Sequence, residues 1–315
     1  MLGRIKTLYQ QASLKLHEDT SEVFFRIGLS AIAAARGNYK NITRLEQADL
    51  KVFSQHGEDG IIDFIIDRLG ILKPTFVEIG TEDYSESNTR FLFQRTNTKG
   101  LIIDCDAALK EKSKKTLGHY YWKGEITALS AFVTKGNIAA LLSQGNKKWI
   151  DCDIFSLDID GNDYWIMQEV LPLCRNKIII LEYNPYFGGL ARVSVPYRED
   201  FCRTDFHYSN LCFGASLNAL ASLMSEYNYT FAGTNLNNNN GFWVRSDIFH
   251  LLGIEPPSVT DLSVYAQNYT RESRNEEGQL NFLAGEDRLR AIKDRKLVNL
   301  DKHNALESVS DIFSL

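Results

Sequence analysis

The chain has 315 residues, 44% of them apolar, enough for one large α/β domain or a domain with substantial additions. A net charge of −5 without any basic run excludes nucleic-acid binding as the main business. Five cysteines (Cys105, Cys152, Cys174, Cys202 and Cys212) lack zinc-like spacing and read as core residues in a reducing compartment. No apolar run approaches the about 20 residues of a membrane span, so a cytoplasmic protein is expected.

Residues 1–48 read as a peripheral helical extension. The stretch 23–32 is amphipathic with a wide apolar face, and Gly37-Asn38 stops it. That face suits packing on the body or on a second subunit; a membrane-surface helix is the alternative. Ser54 is expected to cap a helix over 58–69, whose Ile61, Ile62, Phe64, Ile65, Ile66 and Leu69 form a core face. From Thr75 strands and helices alternate. Strands fall at 75–80, 101–106, 120–126, 154–158 and 177–182, and helices near 88–95, 107–117, 137–143 and 164–171. This alternation implies right-handed βαβ crossovers and a parallel sheet with helices on both faces.

Residues 185–209 are polar and aromatic without a period, and a long segment of this kind is usually functional. A helix over 216–227, capped by Ser216, leads to strands at 229–234 and 241–245 joined by an asparagine-rich turn. The last strand then closes the sheet antiparallel. Residues 49–250 form the α/β domain, and 251–315, with a charged helix near 285–296, read as a C-terminal helical appendage. Both terminal helical regions are candidates for homo-oligomer contacts.

In an open parallel sheet, ligands bind outside the carboxyl ends of the strands. Those ends are Glu78-Ile79-Gly80-Thr81-Glu82, Asp104-Cys105-Asp106, Asp158-Ile159-Asp160-Gly161-Asn162-Asp163 and Glu182-Tyr183-Asn184. Each carries a carboxylate. The Asp104 strand begins about 20 residues after Gly80, the spacing at which a nucleotide-type fold presents an acid to a ribose. Asp158, Asp160, Glu182 and Asn184 could together hold a hard divalent cation such as magnesium. His56 and His207 are the candidate bases, each weighed against an ordinary structural histidine. Tyr183, Tyr186, Phe187 and Tyr197, with Arg192, Arg198 and Arg203, suit a sugar or glycan acceptor bearing phosphate or carboxylate.

Several segments taken in order carry a resemblance. They are Ser54-Gln55-x-Gly57-Glu58-Asp59, Phe76-Val77-Glu78-x-Gly80, Ser87-Asn88-Thr89, Lys99-Gly100-Leu101-Ile102-Ile103-Asp104, Phe155-Ser156-Leu157-Asp158-x-Asp160-Gly161-Asn162-Asp163, Leu181-Glu182-Tyr183-Asn184 and Phe213-Gly214-Ala215-Ser216-Leu217. Across about 60% of its length the chain resembles S-adenosylmethionine-dependent methyltransferases of the FkbM type, in the branch associated with bacterial glycans and lipopolysaccharide. The resemblance implies a Rossmann-like class I methyltransferase fold and O-methylation of a sugar hydroxyl in glycan, lipopolysaccharide or secondary-metabolite synthesis. It implies that Glu78 and Gly80 hold the amino-acid end of the cofactor, helped by Gln55, Glu82, Asn88 and Thr89. Asp104 would bind the ribose hydroxyls, Glu125 would lie near the adenine, and Asp158 beneath the sulfonium. Asp158, Asp160, His56 and His207 would be catalytic. The chain departs from the pattern in the turn after the first strand, where a glycine-rich loop is reduced to Gly80 followed by Thr81-Glu82-Asp83. Two competing readings are a non-catalytic Rossmann domain binding a nucleotide or sugar in a glycan-assembly complex, and a metal-dependent enzyme using the acidic strand ends for other chemistry.

Overall fold

The computed structural model describes residues 20–144, 149–258, 262–268 and 272–315. Helix α1 covers 20–36, and the first 19 residues of the expected N-terminal extension lie outside the described part. Phe25 and Ile32 of α1 are buried, whereas Val23, Phe24 and Ile27 are more than half exposed. Helix α2 (Glu58–Arg68) follows. Its N-cap is Gly57, not Ser54, yet Ser54 still acts on the first turn, because its Oγ accepts the Asp59 N–H at 3.2 Å. Asp59 answers in the other direction. Its Oδ2 accepts the backbone N–H groups of Val52, Phe53 and Ser54 at 2.7, 2.7 and 2.8 Å. The reciprocal capping ties the loop before α2 to the helix.

The alternating part contains β1 (Phe76–Ile79), α3 (Arg90–Thr96), β2 (Lys99–Asp104), α4 (Leu109–Leu117), β3 (Glu125–Ser130) and α5 (Ile138–Leu142). It continues with β4 (Ile154–Leu157), α6 (Asp163–Val170) and β5 (Ile178–Glu182). Strand β6 (Val193–Ser194) and the short α7 (Arg203–Phe206) fall in the long irregular segment. Then come α8 (Leu217–Glu226), capped by Ser216 as the sequence indicates, and the hairpin β7 (Tyr229–Thr234) and β8 (Asn240–Arg245).

The main sheet has the order β3-β2-β1-β4-β5-β8-β7. Strands β1 to β5 are mutually parallel, and β8 pairs antiparallel with both β5 and β7. Alternate side chains of each strand feed two cores, as period-2 geometry requires. Val77, Ile79, Leu101, Ile103, Phe155, Leu157, Ile179 and Leu181 pack with residues of α5, α6 and α8 on one face. Phe76, Ile102, Ile154, Ile178 and Ile180 pack with residues of α1, α2, α3 and α4 on the other. This is a Rossmann-like α/β fold with an antiparallel last hairpin.

Two elements differ from the sequence reading. The third strand starts at Glu125, not at Tyr120; residues 118–122 wind into a 3-10 turn with only Tyr120 buried. The C-terminal segment is not purely helical. Alongside α9 (Glu286–Ala291) and α10 (Val309–Phe313) it carries β9 (Lys296–Asn299) and β10 (Ala305–Ser308). These two join β6 in an antiparallel three-stranded sheet. A third apolar cluster, including Phe187, Val193, Phe201, Leu297 and Val309, binds the C-terminal segment to residues 185–215. The long irregular segment is therefore roofed by the end of the chain.

Replacing Asp59 by Ala strands three backbone donors and should lower the unfolding free energy by about 3 kcal/mol. Urea denaturation measures it, and an unchanged midpoint contradicts the capping role.

Candidate functional site

A cleft of about 450 Å³ opens at the carboxyl edge of the parallel sheet. Its first wall is the turn after β1. The Glu78 carboxylate is buried, borders the cleft and serves that turn. It accepts the Ser87 hydroxyl at 2.7 Å, the Asn88 N–H at 2.8 Å, the Thr89 N–H at 3.0 Å and the Thr89 hydroxyl. Glu78 thus folds the turn back on β1 and also lines the cleft, where its Oε1 has a single donor. Thr89 is consumed by the same network and does not line the cleft. Asn88 does line it, with its amide held by the Ser156 hydroxyl at 3.1 Å. Gln55 and Glu82 line it too.

Gly80 has a reason of its own. Its φ is +83°, and a β-carbon there would stand 1.5 Å from the Asp158 carbonyl oxygen. Only glycine lets the end of β1 pass the end of β4. Glu82 also takes a left-handed backbone, at φ 47°. This turns its N–H onto Asp104 Oδ2 at 2.8 Å.

Asp104, the last residue of β2, lines the cleft. Its second oxygen accepts the Asp106 N–H at 2.9 Å. Each oxygen has one backbone donor and therefore keeps room for another. Next to it stand Ala131, Phe132 and Val133, the residues that follow β3, and the Ala131 N–H donates to the Asp104 carbonyl at 2.8 Å. Sequence reasoning missed these three because it ended the third strand early. The same error misplaced Glu125. That residue opens β3 opposite Lys99, at the amino edge of the sheet, and forms an exposed ion pair with Lys99 at 2.9 Å. It is at the wrong end to meet an adenine.

The floor is acidic. Asp158 and Asp160 follow β4, Glu182 ends β5, and one carboxylate oxygen from each lies within 4.8 Å of the others. Burial, then repulsion from Asp160 and Asp163, pushes the Asp158 carboxyl well above the usual range. Burial and repulsion from Asp158 do the same to Glu182. Among the described residues lining the cleft, Arg203 is the sole cation. Its Nη1 donates to Asp160 Oδ1 at 2.6 Å, its Nε donates to the Asn210 carbonyl at 2.8 Å, and its guanidinium lies 3.6 Å from the Phe213 ring centre. Burial opposes its charge, but Glu182 and Asp160 more than offset this and raise its pKa.

Besides Thr89 and Glu125, three more predicted site residues lie outside the cleft. Asn184 is buried; its amide donates to the Leu211 and Phe213 carbonyls at 2.9 Å each, and its oxygen accepts the Tyr186 N–H at 2.9 Å. With its donors and acceptor used internally it is no metal ligand. His56 binds the Asn237 amide at 2.9 Å behind the wall. His207 shares a 2.7 Å hydrogen bond with the Ser209 hydroxyl beneath the C-terminal segment, and burial followed by Arg295 lowers its pKa. Neither histidine reaches the open space. Of the proposed acceptor residues, Arg203 alone lines the cleft; Arg192 pairs with Asp301, Arg198 with Asp200, and Phe187 stacks on Phe313. Phe201, Asn162 and Asn240 line it as well. Asn240 belongs to the last hairpin, where nothing in the local sequence separates a cleft asparagine from a turn asparagine.

No family model matches the chain, and no curated protein is similar to it. Solved structures resemble about half of it. TrmK of M. capricolum, in complex with S-adenosyl-homocysteine, is 12% identical over 56% of this chain and 64% of that one, with a TM-score of 0.32. The precorrin-6y C5,15-methyltransferase of Geobacter metallireducens GS-15 is 12% identical over 58% and 76%, with a TM-score of 0.34. The O-methyltransferase TomG of Streptomyces achromogenes, in complex with SAM, is 16% identical over 44% and 64%, with a TM-score of 0.31. The chain spans less than two thirds of the TrmK and TomG chains. At such distances the likenesses assign no activity. Among the described residues, no helix is long and apolar enough to cross a membrane.

Replacing Glu78 by Ala should release the Asn88 and Thr89 amides, whose hydrogen–deuterium exchange should quicken about tenfold or more. Unchanged protection there contradicts the anchoring role.

Proposed function

We propose that the cleft binds S-adenosylmethionine and that the chain is a methyltransferase of the FkbM type. Its acceptor is a sugar hydroxyl, in the cytoplasmic synthesis of a glycan, a lipopolysaccharide or a secondary metabolite. The observation that carries the reading is Asp104. It ends β2 in the cleft, and its two oxygens are each oriented by one backbone N–H, from Glu82 and Asp106. A carboxylate held in this way suits the paired hydroxyls of a ribose.

The electrostatics agree. Glu82, Asp104, Asp158, Asp160 and Glu182 face one guanidinium, so the cleft favours a cationic ligand such as a sulfonium. The competing reading, a non-catalytic domain that binds a nucleotide, is disfavoured by the same charges, because phosphates would meet acids at Glu82, Glu86 and Asp104. When bound, the cofactor supplies a methyl group on a positively charged sulfur, a group that an acceptor oxygen can take as the carbon–sulfur bond breaks. The chain orients and shields. Ile103, Phe132 and Val133 give the cleft an apolar side. Asp158 and Asp160 are the groups to receive the acceptor's proton, since both histidines lie behind the walls. A hydroxylated acceptor is supported by Asn240. Its amide nitrogen donates to Glu58 Oε1 at 2.8 Å, which leaves the buried Oδ1 without a partner and open to a hydroxyl donor.

Calorimetry with S-adenosylmethionine and S-adenosylhomocysteine should give micromolar binding. Asp104→Ala should weaken it about a hundredfold, the loss of roughly 3 kcal/mol in charge-assisted hydrogen bonds. His56→Ala and His207→Ala should leave it unchanged. No heat from either ligand with folded wild-type protein rejects the cofactor, and full affinity in Asp104→Ala rejects the ribose assignment.

A further inference from the structure

The three acids at the ends of β4 and β5 hold more negative charge than their surroundings balance. Asp158, Asp160 and Glu182 each bring one oxygen within 4.8 Å of the others. The Arg203 guanidinium meets Asp160 at 2.6 Å, and neither Asp158 nor Glu182 has an ion-pair partner among the described residues. Glu182 is 9% exposed, and its Oε2 has no hydrogen-bond partner. Asn162, two residues after Asp160, is 2% exposed and lines the same cleft. Its Nδ2 donates to the Arg198 carbonyl at 2.7 Å, which fixes the amide orientation, and its Oδ1 is likewise buried without a partner. Each unsatisfied atom is a hard oxygen. A hydroxyl donor could complete one hydrogen bond but would leave the charge, whereas a divalent cation completes both.

We propose that Asp158, Asp160 and Glu182, together with the Asn162 side-chain oxygen, bind a hard divalent cation of the magnesium type. Asn162 takes the place that the sequence reading gave to Asn184, whose donors and acceptor are spent within the protein. The ion's use rests on the methyl-transfer reading: it would hold and polarise the acceptor oxygen above the β4 and β5 ends. Its binding does not depend on that reading.

The test uses the full chain, treated with EDTA and desalted, then titrated with Mn²⁺ while electron paramagnetic resonance reads the free ion. One Mn²⁺ per chain is expected, displaced by Mg²⁺. Affinity should fall at least about tenfold in Glu182→Gln and in Asp160→Asn. The Asp160 side chain is 57% exposed, so its variant keeps the test alive if Glu182→Gln fails to fold, as thermal melting by circular dichroism shows. Calorimetry with S-adenosylhomocysteine on the metal-free protein reads the cofactor separately; Mn²⁺ binding without it keeps the ion site and discards the cofactor. Absence of stoichiometric Mn²⁺ binding, or equal affinity in Asp160→Asn, overturns the proposal.

Discussion

The site depends on how the chain leaves β1. Glu78 draws residues 87–89 back onto the strand through four hydrogen bonds to one buried carboxylate. Gly80 lets the strand end pass within touching distance of the Asp158 backbone. Between these two fixed points the acidic turn must bulge outward, and its Glu82 N–H lands on Asp104. The rim, Asp104 and the acidic floor are thus set by one buried carboxylate and one glycine. A charge as deeply buried as Glu78 is tolerable only because it is so fully hydrogen-bonded.

The turn also explains how a cleft can lack the glycine-rich loop usual after a first strand. Such loops bring backbone N–H groups toward an anion. Here the turn presents Glu82 and Glu86, and the facing strand ends present Asp158, Asp160 and Glu182. One guanidinium stands against them, and it is held by Asp160, the Asn210 carbonyl and the Phe213 ring. Phosphate-rich ligands would meet like charge in such a cleft.

Much of this was legible in the sequence, for a physical reason. Strands β1, β2, β4 and β5 are buried on both faces, so they read as continuous apolar runs, and the acid that ends each run marks the ligand edge. Asp104, Asp158, Asp160 and Glu182 follow from that reading alone. Strand β3 is half-exposed and follows an aromatic 3-10 turn, so its residues lack that contrast, and Glu125 was assigned to the wrong edge. The histidines and Asn184 fail differently. Nothing local tells a side chain satisfied by Asn237, Ser209 or the Leu211 carbonyl from one facing open space. Glu78 combines two positions, since it lines the cleft at a strand end while its oxygens also hold its own turn, which no local pattern announces. The C-terminal strands stayed hidden because β9 finds its partner in β6, about a hundred residues earlier in the chain.

The most direct test is a crystal structure of the chain grown with saturating S-adenosylhomocysteine. The account predicts density in the cleft between β1, β2 and β4, with both ribose hydroxyls in hydrogen-bond contact with Asp104. A ribose bound away from Asp104, or a cleft without the ligand in crystals where it is open to solvent, contradicts it.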